Sequence, residues 1–168
     1  MNRKNFNIFV LLVILTAIIV ACVPPEYRKS SSDENLFSTS KTSSRLRSSI
    51  VTLAKRQIGI KYKSGSSTPQ TGFDCSGLAL YVYQKHGIFL PRTSQLQYGR
   101  AKKISSRNTH PGDLIFFKIN GRNISHVAIY IGNNNFVHAP GKGKTVCTDS
   151  MTNAYWKNCF AGCGTFIK

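Results

Sequence analysis

An apolar stripe that begins directly after an aspartate is the feature that most constrains the fold of this chain. Five positions share one helical face: Cys75, Leu78, Ala79, Val82 and Tyr83. Gly87 follows where a helix usually stops, so the spacing predicts a helix that opens at Cys75 with Asp74 as its N-cap. A thiol in the first turn lies at the positive end of the helix dipole, which favours a nucleophilic thiolate. The alternative is that Cys75 is a small buried apolar residue.

The periodicity changes at the turn that Pro111 opens. Before it, the apolar spacing predicts a first helix over residues 45 to 58, and Ser94 with Gln97 resembles a capping box for a short helix ending near Gly99. After it, alternation predicts strands over residues 114–118, 125–131, 135–139, 145–148 and 164–168. Helices followed by a meander indicate an α+β fold in which the Cys75 helix packs on an antiparallel sheet.

The first 44 residues have the composition of a leader and a tether. Arg3 and Lys4 precede an apolar run too short to span a membrane comfortably, which predicts a signal peptide over residues 1–21. The end of the run resembles a bacterial lipobox, so Cys22 is expected to be acylated after cleavage; the alternative is an uncleaved leader with an incidental cysteine. Val23 follows it, which by resemblance to lipoprotein sorting favours the outer membrane, facing the periplasm, if the cell has one. Residues 22–44 are interpreted as lipidated N-terminus and flexible tether, with a reach of about 25 Å.

The formal charge of +17, or +15 after removal of residues 1–21, favours an anionic partner. Export argues against nucleic acid, and no array of aromatic and basic residues of the kind that binds single strands is present. We therefore expect a cell wall or a lipid surface as the partner and no nucleic acid. A solvated basic face without a specific partner is the alternative.

The ionisable residues of the region from residue 45 onward exclude several reaction types. Its only carboxylate side chains are Asp74, Asp113 and Asp149, too few for most glycosidases or metallohydrolases, so neither metal nor cofactor is expected. His126 and His138 lie on consecutive predicted strands. His126 is placed to act as the base for a Cys75 nucleophile, and His138 to fix its tautomer.

This assignment requires both imidazoles on one face of their hairpin. A two-residue loop at Asn133-Asn134 would put them on opposite faces, because side chains alternate along a strand. We therefore predict an odd loop, or a bulge that restores the parity, between His126 and His138. We also predict that residues 126, 128 and 130 face the Cys75 helix and that residues 127, 129 and 131 face away.

Residues 58 to 139 resemble the NlpC-type cysteine peptidases of bacterial cell walls, a circularly permuted branch of the papain-like superfamily. The matching stretches are Phe73-Asp74-Cys75-Ser76-Gly77, Leu90-Pro91-Arg92, Pro111-Gly112-Asp113-Leu114-Ile115-Phe116-Phe117, Ser125-His126-Val127-Ala128-Ile129-Tyr130-Ile131-Gly132 and Phe136-Val137-His138-Ala139. The resemblance implies a papain-like fold and an endopeptidase that hydrolyses amide bonds of peptidoglycan stem peptides or cross-links. A catalytically silent wall-binding module and an acyltransferase are the alternatives.

By the same resemblance, Cys75 is the nucleophile, His126 the base and His138 the orienting residue. Tyr62 matches a tyrosine that assists the oxyanion, and substrate binding falls to Asp74, Ser76 and Arg92, the first two of which match positions that can hold a free amine.

Two features depart from the family pattern. Gly65 alone remains of a glycine pair that often follows the tyrosine, and three cysteines are additional: Cys147, Cys159 and Cys163. Two of these could pair in an oxidising compartment, whereas a zinc site lacks a fourth ligand at a recognisable spacing.

Overall fold

The computed structural model describes residues 31–119 and 121–168, with side chains from Ser40 onward. The chain divides into two compact units, Met1–Thr39 and Ser40–Lys168, and the second carries the sheets and the candidate site. The signal peptide expected at residues 1–21 and the acylation expected at Cys22 lie outside the described residues.

The first described helix, α1, spans Ser31–Lys55. It begins fourteen residues before the predicted start at Arg45 and ends before Ile58, so the part of the expected tether from Ser31 onward is helical. The polar composition of that part gave no apolar stripe from which to predict a helix. Across the described part of the chain, no helix combines the length and apolarity needed to cross a membrane.

Two antiparallel sheets account for the described strands. The smaller pairs β1 (Ser67–Thr68) with β2 (Gly72–Phe73). The larger has six strands, which are β3 (Lys102–Ile104), β4 (Leu114–Phe117), β5 (His126–Gly132), β6 (Asn135–His138), β7 (Cys147–Ser150) and β8 (Phe160–Thr165). Their order in the sheet is β3-β8-β4-β5-β6-β7. The antiparallel sheet of the predicted α+β fold is confirmed.

Three further helices connect these strands: α2 (Cys75–Gln84), α3 (Ser94–Arg100) and α4 (Ala154–Cys159), and a 3-10 turn covers Ser106–Asn108. The prediction of a helix opening at Cys75 is confirmed. The capping-box prediction was wrong by one residue, because Thr93 caps α3 and accepts from the amide of Leu96. The short elements β3 and α4 were not predicted, and β8 begins at Phe160 instead of residue 164.

The large sheet has apolar packing on both faces. On one face, Val127 and Ile129 of β5 join the main core, which includes Leu78 and Val82 of α2. On the other, Ala128 packs in a second cluster around Trp156 of α4. The prediction that residues 126, 128 and 130 face the Cys75 helix was therefore wrong. It failed because the face opposite α2 is also covered, by the unpredicted helix α4.

The hairpin between β5 and β6 confirms the parity prediction through a bulge. Asn133 and Asn134 both have positive φ, and Gly132 pairs with Asn135, as in a two-residue turn. The register then shifts between Tyr130 and Gly132, so that Tyr130 pairs with Phe136. The extra residue returns the two strands to the phase of an odd loop, and His126 and His138 meet on one face.

Candidate active site

The start of α2 presents Cys75 on a capped helix terminus. Asp74 has extended backbone geometry, and its Oδ1 accepts a hydrogen bond of 2.7 Å from the amide of Gly77. A Cβ on Gly77 would lie 2.1 Å from the carbonyl oxygen of Ser66. Only glycine therefore lets the backbone just before β1 pack this closely against the helix. The Asp74 cap and the close packing at Gly77 therefore hold the backbone that carries the Cys75 thiol.

Arg92 closes the other side of the Asp74 carboxylate. Its two terminal nitrogens both bond Asp74, and Nη1 lies 3.0 Å from Oγ of Ser76. Although burial would raise the pKa of Asp74, the Arg92 guanidinium and the Gly77 amide hold it below its usual value. The guanidinium side chain is 39% exposed, so the pair presents a fixed cation to solvent beside the thiol.

The thiol of Cys75 lies against the first residues of β5. Its Sγ is 4.0 Å from the carbonyl oxygen of Ser125. Burial raises the pKa of Cys75, the Val127 amide opposes this, and the Asp74 carboxylate adds to it, with a net result above the ordinary value. The thiolate expected from the helix dipole is therefore not the resting form, because desolvation of the thiol outweighs the amides that would stabilise its anion.

His126 and His138 form a buried pair on the face opposite α2. His126 Nε2 and His138 Nδ1 are 2.9 Å apart, and the two side chains belong to residues that are 3% and 0% exposed. Burial lowers the pKa of His126 to about 3, with His138 as the second cause. Burial and then Lys144 lower the pKa of His138 to about 4. Both imidazoles are therefore neutral near pH 7.

The hydrogen-bond chain continues to a carboxylate that the sequence analysis did not assign. His138 Nε2 lies 3.1 Å from Oδ2 of Asp149, and Trp156 Nε1 donates to the same oxygen at 3.0 Å. The ring of Trp156 also stacks on His126 at 5.4 Å between centroids. Asp149 was among only three candidate carboxylates, but its register relative to His138 depends on a loop whose geometry the sequence does not give.

Tyr62 lies close enough to the thiol for the charge of Cys75 to affect it. Burial raises the pKa of Tyr62, and the charges of Cys75 and Asp74 raise it further, so the phenol remains a hydrogen-bond donor at neutral pH. Its backbone is held between Phe73 and the carbonyl of Lys144. This position suits a donor to an oxygen that becomes negative when the carbonyl is attacked.

The structure thus groups the predicted residues in two sets that meet at the beginning of β5. Cys75, Asp74, Ser76, Arg92 and Tyr62 surround the helix terminus, and the two histidines occupy the strands beside it. Four cysteines of the described part of the chain are free thiols, so no disulfide links the three additional cysteines.

Comparisons with known proteins identify the family. The NlpC/P60 family model matches residues 59–165, and the chain belongs to that family. It is 36% identical over 152 residues to γ-DL-glutamyl hydrolase of Bacillus subtilis, covering 89% of this chain and 35% of that protein. It is 42% identical over 102 residues to the bifunctional muramidase/DL-endopeptidase CwlT of the same organism, covering 60% of this chain and 30% of CwlT.

A solved structure shows the same fold. The crystal structure of a lipoprotein-like NLP/P60 family protein from Staphylococcus aureus superposes with a TM-score of 0.66 at 37% identity, covering 74% of this chain and 42% of that one. The chain spans about a third of the length of the two Bacillus relatives. The papain-like fold predicted from the sequence is confirmed.

Proposed function

We propose that the chain is a cysteine endopeptidase that hydrolyses amide bonds in peptidoglycan peptides, with Cys75 as nucleophile. The observation that carries the proposal is the position of the Cys75 thiol on a helix terminus, against the residues that flank His126, while His126 bonds His138. The proposal assigns Cys75 as nucleophile, His126 as base and His138 as the group that orients the base. Membership of the NlpC/P60 family supports the same assignment.

The first chemical step starts from neutral groups. Because His126 Nε2 is hydrogen-bonded to His138, the other ring nitrogen, Nδ1, is the one assigned to the thiol. Nδ1 accepts the Sγ proton as Sγ attacks the carbonyl carbon, and the developing oxyanion is held by the Cys75 amide and the Tyr62 hydroxyl. Burial raises the pKa of Cys75, so the attack starts from the protonated thiol and His126 has to accept its proton.

The second half of the reaction returns that proton. His126 Nδ1 protonates the departing amine, the C–N bond breaks, and the acyl group remains on Sγ as a thioester. Water then attacks the thioester while His126 takes one of its protons, and the thiolate leaves and recovers that proton. The carboxylic acid product and the free enzyme result, with no other reactant needed.

The buried relay sets the tautomer of His126. Asp149 can only accept, so His138 donates from Nε2 to it and accepts at Nδ1 from the Nε2 proton of His126. Nδ1 of His126 then carries a lone pair, as a base requires. His138 and Asp149 are positioning residues in this scheme, because they act through His126 and not on the substrate.

The relatives suggest which bond is cut. CwlT is named as a DL-endopeptidase and another relative as a γ-DL-glutamyl hydrolase, so we infer that this chain cleaves after a γ-linked D-glutamyl residue of the stem peptide. The Arg92–Asp74 pair with Ser76 is proposed to bind the charged ends of that substrate. Asp74 and Ser76 would hold a free amine, and the exposed edge of Arg92 would hold a carboxylate.

Mass spectrometry of purified muropeptides incubated with the full chain tests this function. The expected result is loss of the intact stem peptide and appearance of two fragments whose masses identify the bond, with Cys75→Ala as the matched inactive control. Hydrolysis by Cys75→Ala at the rate of the parent chain would refute the mechanism. Intact muropeptides in every sample would favour the silent wall-binding module.

We also propose that residues 1–21 are a signal peptide, that Cys22 carries the lipid anchor, and that the peptidase domain occupies residues 45–168. The Staphylococcus aureus relative described as similar to a lipoprotein supports an exported, membrane-anchored protein. Cys22→Ser should abolish labelling by radioactive palmitate and release the chain from membranes without affecting muropeptide hydrolysis. Palmitate labelling of the Cys22→Ser chain would contradict the anchor.

A further inference from the structure

The far end of the relay gathers three side chains of the kinds that bind zinc. On β7, Cys147 pairs directly with His138, and Asp149, two residues further, stands on the same face. Their ligand atoms, the imidazole Nε2, the thiol Sγ and a carboxylate oxygen, all lie within 4.8 Å of one another. Cys147 is not part of the family pattern, and the mechanism above makes no use of it.

The separation of the sulfur and nitrogen atoms in this group matches that of two ligands on one zinc ion. Cys147 Sγ and His138 Nε2 are 3.5 Å apart. Ligands at about 2.3 Å for sulfur and about 2.0–2.1 Å for nitrogen, at tetrahedral angles, stand about 3.6 Å apart. His138 Nε2 and Asp149 Oδ2 are 3.1 Å apart, so only a small separation of these two groups admits an ion between them.

The surroundings of the three side chains also suit a divalent cation. Once an ion is bound, Cys147 as a thiolate and Asp149 as a carboxylate would together balance its two positive charges. Trp156 donates to Asp149 and so fixes the carboxylate from behind, as outer hydrogen bonds do around zinc ligands. The Asp149 side chain is 40% exposed, which gives an ion a path from solvent to the buried imidazole.

We propose that His138, Cys147 and Asp149 form an inhibitory Zn²⁺ site, with water as the fourth ligand, that switches the catalytic base off. The inhibitory half rests on the proposed function, whereas the binding half does not. No metal was expected from the sequence, because carboxylates are few and no fourth zinc ligand stands at a recognisable spacing; the three ligands proposed here come from two paired strands. A mixed sulfur, nitrogen and oxygen set favours zinc over magnesium or calcium.

Inhibition follows from the tautomers of the two histidines. A metal on Nε2 of His138 displaces the proton there, so the neutral ring carries its proton on Nδ1 and donates it to His126. Nε2 of His126 must then accept, and its own proton stands on Nδ1. That nitrogen can no longer remove the Sγ proton of Cys75. The Cys147 thiol proton is released to solvent when the metal binds.

Cobalt absorption tests the site independently of catalysis. The full chain carrying Cys75→Ala, freed of metal with EDTA and dialysed, is titrated with Co²⁺. We expect a sulfur-to-cobalt charge-transfer band that persists in Cys159→Ser, the matched control, and disappears in Cys147→Ser. Absence of the band, or its persistence without Cys147, would overturn the proposal.

Zinc titration of muropeptide hydrolysis tests the switch, with Cys75 intact. Cys147→Ser should retain the basal rate and raise the half-inhibitory zinc concentration by more than the roughly 10–100-fold that loss of an outer partner costs. Cys159→Ser should be inhibited like the parent. Equal inhibition of Cys147→Ser would place the metal on Cys75 and refute the switch. If no sample hydrolyses muropeptides but the cobalt band needs Cys147, the proposed peptidase fails and the metal site stands.

Discussion

Lowering the pH from 7.5 to 5 should destabilise this protein through its two buried histidines. In the folded chain the pKa values of His126 and His138 are about 3 and about 4, so both rings stay neutral at pH 5. In the unfolded chain each ring binds a proton near its ordinary pKa of about 6.5. A depressed folded pKa of a base therefore favours the unfolded state as pH falls below 6.5, and the loss levels off below about pH 3, where both folded rings are protonated.

The magnitude at pH 5 depends on the unfolded pKa alone, because the folded rings have not yet titrated. At pH 5 the solution is about 1.5 pH units below the ordinary pKa of histidine. This corresponds to a loss of about 2 kcal/mol for each histidine, or about 4 kcal/mol for both. That is a large share of the 5–15 kcal/mol, approximately, by which domains are usually stable. The pKa of Asp74 is lowered from 3.8, so protonation of Asp74 reduces the stability only at pH values below the range from 7.5 to 5.

Urea denaturation of the full chain in EDTA, at pH 7.5 and at pH 5, measures this difference as a change in the free energy of unfolding. His126→Gln removes one of the two groups and should halve the difference to about 2 kcal/mol, whatever its effect on stability at pH 7.5. A difference below about 1 kcal/mol in the parent chain would show that the histidines are not buried neutral. An undiminished difference in His126→Gln would assign the effect to other groups.

Three other predictions concern packing, the thiol and the charge. Gly77→Ala should cost about 1–3 kcal/mol or more in urea denaturation because its Cβ would meet Ser66, whereas Gly99→Ala, with open space around it, should cost nothing. Iodoacetamide, with peptide mapping as the readout, should alkylate Cys75 half-maximally at a higher pH than a cysteine in a short reference peptide, and a midpoint at a lower pH than the reference would contradict the raised pKa. Sedimentation with purified cell walls should weaken as salt shortens the Debye length below about 8 Å, since the chain carries +17, and salt-independent binding would indicate specific contacts.

The elements that carry a local signal could be predicted from the sequence. The stripe after Asp74, the stop at Gly87 and the alternation after Pro111 each depend on neighbours within a few residues. The structure confirms α2 and places a strand on each predicted stretch, with β7 starting two residues later and β8 four residues earlier than predicted. The need for an odd loop or a bulge also followed from counting residues between His126 and His138, and the hairpin has the bulge.

Features that depend on distant partners could not be predicted. The face of β5 that packs against α2 depends on α4, because α4 covers the opposite face. This helix has six residues, and Trp156 is its one buried residue in the second apolar cluster. Asp149 and Cys147 reach His138 through a register that the loop between β6 and β7 sets, and no spacing in the sequence fixes that register. The helix terminus led us to expect a thiolate at Cys75, but burial raises the pKa of the thiol and outweighs the helix terminus. Burial is a tertiary property that local spacing does not reveal.

The bulge at Gly132 has a consequence for how this hairpin can vary. Because one extra residue keeps His138 in phase with His126, a single deletion or insertion between them would turn the second imidazole into the main core. Changes of two residues would leave the phase intact. Among relatives that use both histidines, the length of this hairpin should therefore differ by even numbers, with each odd change accompanied by the gain or loss of a bulge.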